Sequence, residues 1–250
     1  MGGDALQKKV DSGEAAAYRI CIPSLGHIRM SGLMKIAAVL LGVVLAGGAF
    51  AQNSGAAATG AHVRFTVEDP QIQPRAYTLD INEDGSGTYT ATYEAPSVQH
   101  VNRPIHIHGP LVSRLFQAAR KDHFFASNCA DKHRRVAFTG KKTLAYAGPD
   151  GTGSCTFNYS RERDLNQITS ALVAVGYTLQ VGTRLKREHR YDRLSLENEL
   201  ASLQEAVRDG RALETENIAP ELEAIADDNA VMDLARARAR SLLQRTVASR

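Results

Sequence analysis

The sequence has few features that would indicate catalysis or binding to a charged polymer. It contains no tryptophan, and 30 Lys+Arg against 27 Asp+Glu leave a formal net charge of only +3. So small an excess favours neither nucleic acid nor a membrane surface as a partner. No G-x-S-x-G stretch occurs, so there is no hydrolase nucleophile elbow. Adjacent carboxylates, such as Asp227 with Asp228 and Glu214 with Glu216, fall at predicted helix ends and exposed faces. The sequence therefore names no catalytic residue.

The first 51 residues are predicted to be a leader rather than part of the fold. Met34-Lys35 precedes the apolar run IAAVLLGVVLAGGAF, which closes on the small-x-small site Ala49-Phe50-Ala51. This order is typical of a secretory signal peptide, and the run is too short to span a bilayer. We predict a signal peptide over residues 34–51, translation from Met34 or Met30, and export to the periplasm or beyond, with no membrane span after cleavage. An uncleaved anchor with a short cytoplasmic tail is the alternative.

Cysteine is scarce, and cleavage would leave an even pair. Of three cysteines, Cys21 lies in the leader, while Cys129 and Cys155 lie in the exported part. Two cysteines in an exported chain usually form a disulfide. The bridge would tie the loop after a short helix to a later strand and stabilise the fold by roughly 3–4 kcal/mol in the chain-entropy model. Two buried free thiols are the alternative.

Residues 62–160 are predicted to form a β-rich domain after a flexible segment, 52–61. Residues 62–67 alternate between apolar and polar, and residues 76–94 form a hairpin around a turn at 83–87. Residues 96–104 are predicted to be irregular, followed by a short strand at 105–108 that Gly109-Pro110 ends. A helix is expected over 111–121. Strands are expected at 134–138, 143–147 and 154–159, with a turn over 148–153.

Residues 161–250 are predicted to form an α-helical domain, because the apolar period changes from two to three or four. A long amphipathic helix is expected to about Glu188, with an interruption at residues 189–193. Further helices are expected to start near Ser195, Pro220 and Asp228, the last with a stripe of Val231, Leu234, Leu242 and Leu243. The fold class is therefore α+β: an antiparallel sheet with one short helix and a disulfide-clamped hairpin, then an antiparallel helical layer.

Two groups of residues are candidates for a metal site. His106 and His108 would project from one face of a strand, a spacing that metal sites use. A third ligand from His100, His123 or His133 has no fixed spacing to the pair, so hydrogen-bonded histidines are favoured and no cofactor is predicted. Asp80, Asn82 and Asp84 match the start of an EF-hand calcium loop. Its bidentate Glu is replaced by Ala91 and its flanks are strands, so a hairpin turn is favoured.

Several stretches resemble known proteins. VAFTGKKTLAYAGPDGTGSCTFNYS, HRYDRLSLE and NIAPELEAIADDNAVMDLARARARSLL resemble a family of exported bacterial proteins of the kind found in acidobacteria. No activity is attached to that family, so this resemblance implies no site. Residues 218–243 are separately similar to a single HEAT-type helix pair, with Pro220, Asp228 and Val231 at the characteristic places. That similarity implies a helical protein-interaction surface, although solenoids need about three such units.

These observations favour a non-catalytic binding module of the cell envelope, whose helical C-terminal part contacts a protein partner. The alternative is an envelope hydrolase or metal-dependent enzyme, with His106, His108 and Asp80 or Asp84 converging at one end of the sheet. The sequence carries no signal of oligomeric state.

Overall fold

A computed structural model describes residues 60–94, 99–127, 129–130 and 136–248. The predicted signal peptide, most of the flexible segment, and His133 lie outside these ranges. Ala61, at the end of that segment, is buried, and its carbonyl accepts a hydrogen bond from the Glu83 backbone N–H. Ala61, one residue before the first predicted strand, is therefore already packed into the fold.

Six antiparallel strands form one sheet in the order β4-β3-β2-β1-β5-β6. Apolar residues at every second position, such as Phe65, Leu79, Tyr89 and Leu144, are fully buried on one face. The other face carries polar side chains, as expected for an antiparallel sheet covered on one side. The bounds are β1 His62–Glu68, β2 Ala76–Asn82, β3 Ser86–Tyr93, β4 Gln99–His106, β5 Lys141–Gly148 and β6 Gly151–Phe157.

The prediction of irregular structure up to residue 104 was wrong, because β4 already begins at Gln99 and pairs with β3. Strand β4 lies at the sheet edge, and Ile105 is its only buried residue, so it lacks the apolar alternation that reveals a strand. The His106 N–H points away from the sheet, toward Asn217. Backbone N–H groups alternate in direction along a strand, so an N–H at position 104 would also point outward. Proline has no N–H, so Pro104 leaves no unpaired donor at this edge.

The hairpin of β5 and β6 is tighter than predicted. Only Pro149 and Asp150 form its turn, and β6 resumes at Gly151. In the predicted strand 134–138, the described residues 136–138 are not a strand. The Asn158 side chain donates to the Ala137 carbonyl, so a side chain rather than a strand ladder holds this segment. The predicted Cys129–Cys155 disulfide is confirmed, with the two Cα atoms 6.0 Å apart.

Five α-helices and two short 3-10 turns complete the described fold. Helix α1 begins at Gly109-Pro110, the dipeptide expected to end a strand, because proline suits the first turn of a helix. Helix α2 continues through the expected interruption to Tyr191. The bounds are α1 Gly109–Lys121, α2 Arg163–Tyr191, α3 Leu196–Arg208, α4 Ala219–Asp227 and α5 Asp233–Ala248, with 3-10 turns at His123–Phe125 and Thr215–Ile218. No helix within the described ranges has the length and apolar content to cross a membrane.

Helix α2 belongs to both hydrophobic clusters of the molecule. Its first part, with Leu172 and Leu179, packs in the cluster of the sheet and α1. Its last part, with Val181 and Leu185, packs in the cluster of α3, α4 and α5. Sheet and helices lie within one compact unit. Where a domain boundary falls within it stays a prediction.

Candidate functional site

The end of strand β4 is closed by the side chain of Asn217. Its Oδ1 accepts a hydrogen bond from the His106 backbone N–H at 2.8 Å, and its Nδ2 donates to the His106 carbonyl at 2.9 Å. Nδ2 also donates to the carbonyl of Glu214 at 3.0 Å. The amide thus meets the free strand edge as a further strand would, and it fixes the 3-10 turn against the sheet.

An ion pair reinforces the same junction. Arg103 lies on the covered side of the sheet, opposite Tyr89. Its guanidinium Nη1 is 3.2 Å from Glu221 Oε1, and the two side chains are only 19% and 13% exposed. It also donates to the backbone carbonyl of Asn217. Because both side chains are largely buried, this ion pair helps to hold α4 against β4.

His108, Glu214 and Glu216 converge beside this junction. His108 is the residue before α1, and its Nδ1 lies 2.5 Å from Glu214 Oε2. Its backbone N–H donates to the same oxygen at 3.2 Å, and its Nε2 is 3.8 Å from Glu216 Oε1. The side chains of His108, Glu214 and Glu216 are 34%, 8% and 16% exposed. One nitrogen or oxygen from each residue lies within 4.8 Å of the others, a group that could hold a metal ion.

The structure brings the two predicted histidines together but gives them different partners from those expected. The imidazole centroids of His106 and His108 are 6.2 Å apart. His100 lies near the start of β4, where its Nδ1 contacts Thr92 Oγ1. His123 begins the 3-10 turn after α1. The partners of His108 are Glu214 and Glu216, two carboxylates that the sequence pattern had assigned to an exposed face.

The calcium candidates take part in ordinary strand and turn contacts. Asp80 Oδ2 lies 2.5 Å from an Arg64 nitrogen, and the amide of Asn82 donates to the Ser86 hydroxyl. Asp84 Oδ1 accepts from the Ser86 hydroxyl at 2.6 Å and from the Ser86 N–H at 2.9 Å. These hydrogen bonds lower the pKa of Asp84. Asn82 and Asp84 therefore form hydrogen bonds within the β2–β3 turn, whereas Asp80 pairs with Arg64 of the neighbouring strand β1.

A second candidate is an exposed apolar surface at one end of the helical layer, which we call the end patch. It lies at the connection between α2 and α3 and at the connection between α4 and α5. Asp228 Oδ2 holds these two connections together, at 2.8 Å from His189 Nε2 and 3.3 Å from an Arg193 nitrogen. The end patch consists of Tyr191, Leu194, Met232 and Leu234, which are 73%, 75%, 44% and 55% exposed.

The exposure of Leu234 in the end patch differs from the apolar stripe predicted for the last helix. Leu234 was predicted to be buried with Val231 and Leu242, but α5 turns Ala235 and Ala239 inward instead. Elsewhere the apolar stripes of the helices pack against one another, so no open apolar groove runs along the described part of the helical layer. The residues buried in this way include Leu196, Leu200, Leu203, Leu222, Ile225 and Leu242.

Several cations lie on the α2 side of the end patch. Lys186, Arg187, Arg190 and Arg193 are exposed on the last turns of α2 and just beyond them. The Arg190 guanidinium lies 5.2 Å from the centroid of the Tyr191 ring. The patch is therefore apolar at its centre and positively charged along its α2 side.

Neither a scan of protein-family models nor a search of the curated proteins finds a match to this chain.

Proposed function

We propose that this protein is an exported, non-catalytic binding module, and that a protein partner docks on its end patch. One observation carries the proposal: four large apolar side chains, each 44–75% exposed, lie on or next to the two helix connections that Asp228 joins. Contiguous apolar surface on a folded domain marks an interaction site, whereas single exposed apolar residues are ordinary. Export rests on the signal peptide predicted for residues 34–51, and the disulfide agrees with an oxidising compartment.

The chemistry of the patch favours one kind of partner. Tyrosine and arginine are enriched among the residues that contribute most to protein interfaces, and Tyr191 lies beside Arg190. Lys186 and Arg187 add positive charge on the same side. We therefore expect a protein segment with an apolar centre and acidic flanks. The similarity of residues 218–243 to a HEAT-type helix pair agrees with a helical interaction surface.

The test is a crosslinked pull-down from the cell envelope with full-length bait. Leu194→Ser combined with Leu234→Ser should reduce recovery of the specific partner at least tenfold, because interface anchors contribute about 2 kcal/mol or more each. Circular dichroism should be unchanged, since both side chains are exposed. The matched control is Ile72→Ser with Phe138→Ser, which removes two apolar residues that are 50% and 51% exposed outside the patch.

Two outcomes contradict the proposal. In one, the patch variant recovers the same proteins as the parent. In the other, the protein sediments with anionic phospholipid vesicles in a manner that depends on Leu194 and Leu234, so that the patch meets a membrane instead.

The alternative, a metal-dependent enzyme near His106 and His108, has one observation in its favour. His108 lies beside two carboxylates in a group able to hold a metal ion. Those carboxylates are Glu214 and Glu216, whereas Asp80 pairs with Arg64 and Asp84 bonds to Ser86 in the β2–β3 turn. Metal binding at His108 is a precondition for this alternative, so a protein that binds no metal ion there would contradict it.

A further inference from the structure

We infer that His108, Glu214 and Glu216 form a binding site for one divalent transition-metal ion such as Zn²⁺, which connects the end of β4 to the 3-10 turn before α4. The site is separate from the end patch, so it stands or fails independently of the proposed partner. Imidazole and carboxylate groups are the ligands that zinc takes when no thiolate is present.

The spacing of the three side chains suits a small ion. Ligand atoms around a tetrahedral zinc lie about 3.3 Å apart, because each bond measures about 2.0–2.1 Å. His108 Nε2 and Glu216 Oε1 are 3.8 Å apart, and one atom from each of the three residues falls within 4.8 Å. The remaining adjustment is a rotation of side-chain torsions, since the backbone already places all three residues on one side of the junction.

Charge provides a second, independent argument. Glu214 and Glu216 are only 8% and 16% exposed, and both carboxylates lie close to one imidazole. Burying two like charges is costly unless a counter-charge is present. A divalent cation bound by these two carboxylates would place two positive charges beside them.

Neighbouring groups orient the ligands before an ion arrives. The backbone N–H of His108 donates to Glu214 Oε2 at 3.2 Å, and Asn217 fixes the turn to both polar backbone groups of His106. Such contacts around the ligands commonly change metal affinity 10- to 100-fold. His108 remains 34% exposed, so an ion can enter from solvent and keep a water molecule as a further ligand.

The test is titration calorimetry with Zn²⁺ on protein purified without a metal column and dialysed against a chelator. We expect one equivalent to bind. Glu216→Gln, which keeps the side-chain size, and His108→Ala should each weaken binding roughly 100-fold, about the upper end of the range for outer contacts. Zn²⁺ should also raise the melting temperature of the parent and not of His108→Ala, because a ligand that binds only the folded state stabilises it.

The matched controls are His100→Ala and His123→Ala, two described histidines outside the group. Both should bind zinc as the parent does. The inference is overturned by a parent that binds no zinc, by Glu216→Gln and His108→Ala proteins that bind it with parental affinity, or by loss of binding in the His100→Ala control. Glu216→Gln keeps the test decisive if His108→Ala fails to fold.

Discussion

At the scale of single residues, Lys142 is a charged residue that lies buried among oxygen acceptors. It lies on β5 with an exposure of 9%, and its ammonium donates to oxygens at 3.0–3.3 Å. These are the carbonyls of Thr139, Gly140 and Asn158 and the Thr139 hydroxyl. The cage joins the segment before β5 to the residue after β6. Burial lowers the pKa of Lys142.

We predict that Lys142→Met changes how stability depends on pH. The pKa of Lys142 is lowered in the folded state, so between that value and the ordinary lysine value of about 10.4 the unfolded chain binds more protons. The free energy of unfolding therefore gains a component that rises with pH across this alkaline window. Urea unfolding at a series of alkaline pH values should show that Lys142→Met lacks this component.

Lys141→Met is the control for this prediction, because Lys141 is exposed and pairs with Glu68 at 3.1 Å. It should keep the parental pH dependence. Parallel curves for the parent and Lys142→Met would show that the lysine cage does not couple protonation to folding.

At the scale of elements, two glycines let α2 approach both of its neighbours closely. A Cβ atom at Gly176 would lie 2.6 Å from the Tyr77 ring of the sheet. A Cβ atom at Gly182 would lie 2.4 Å from Ile218 Cγ2 in the 3-10 turn. Both distances are far below van der Waals contact. Helix α2 can therefore pack on the sheet and on the turn that carries Glu216 only because these positions have no side chain.

Gly182→Ala should destabilise the protein, although alanine favours a helix by about 1 kcal/mol. The added methyl group must displace Ile218, which is fully buried, and overpacking of this kind costs about 1–3 kcal/mol. Denaturant unfolding measures the difference. Gly109→Ala is the control, because nothing lies within 4 Å of a Cβ atom there. Equal midpoints for the two variants would contradict this account of α2 packing.

At the scale of the whole molecule, one covalent link ties distant parts of the β-rich half together. The disulfide joins Cys129, after α1, to Cys155 on β6, across a sequence separation of 26. Both sulfurs belong to buried residues of the sheet cluster. Strand β6 is the edge strand opposite β4, so the link fastens a segment against that edge.

Reduction of the disulfide should lower the melting temperature, since the open chain regains the entropy of a closed loop worth roughly 3–4 kcal/mol. A Cys129→Ser, Cys155→Ser variant should melt at the temperature of the reduced parent and should not respond to reductant. Calorimetry with and without dithiothreitol provides the measurement, and thiol labelling verifies reduction. A fully labelled parent that melts as the oxidised one does would refute the prediction.

The sequence by itself determined the elements whose residues repeat with a regular period. The alternation in β1, β2 and β3, the stripe of α2 and the single cysteine pair each follow from short-range patterns, because burial of one face imposes a period of two or of 3.6. Most of strand β4 was not predicted, because its position at the sheet edge leaves seven of its eight residues outside the core. Residues 136–138 were wrongly predicted to be part of a strand, because Val136 and Phe138 have the alternation of a half-buried strand although both are exposed.

The candidate sites were decided by tertiary structure. The sequence singled out His108, but its partner Glu214 is 106 residues away, and no local spacing connects the two. They meet because the 3-10 turn docks on the end of β4 through Asn217, a contact that depends on the path of α2 and α3 between them. The end patch likewise arises where two helix connections converge on Asp228. Periodicity predicts which face of one element is apolar, whereas only the packing of several elements decides which apolar and charged side chains remain at the surface together.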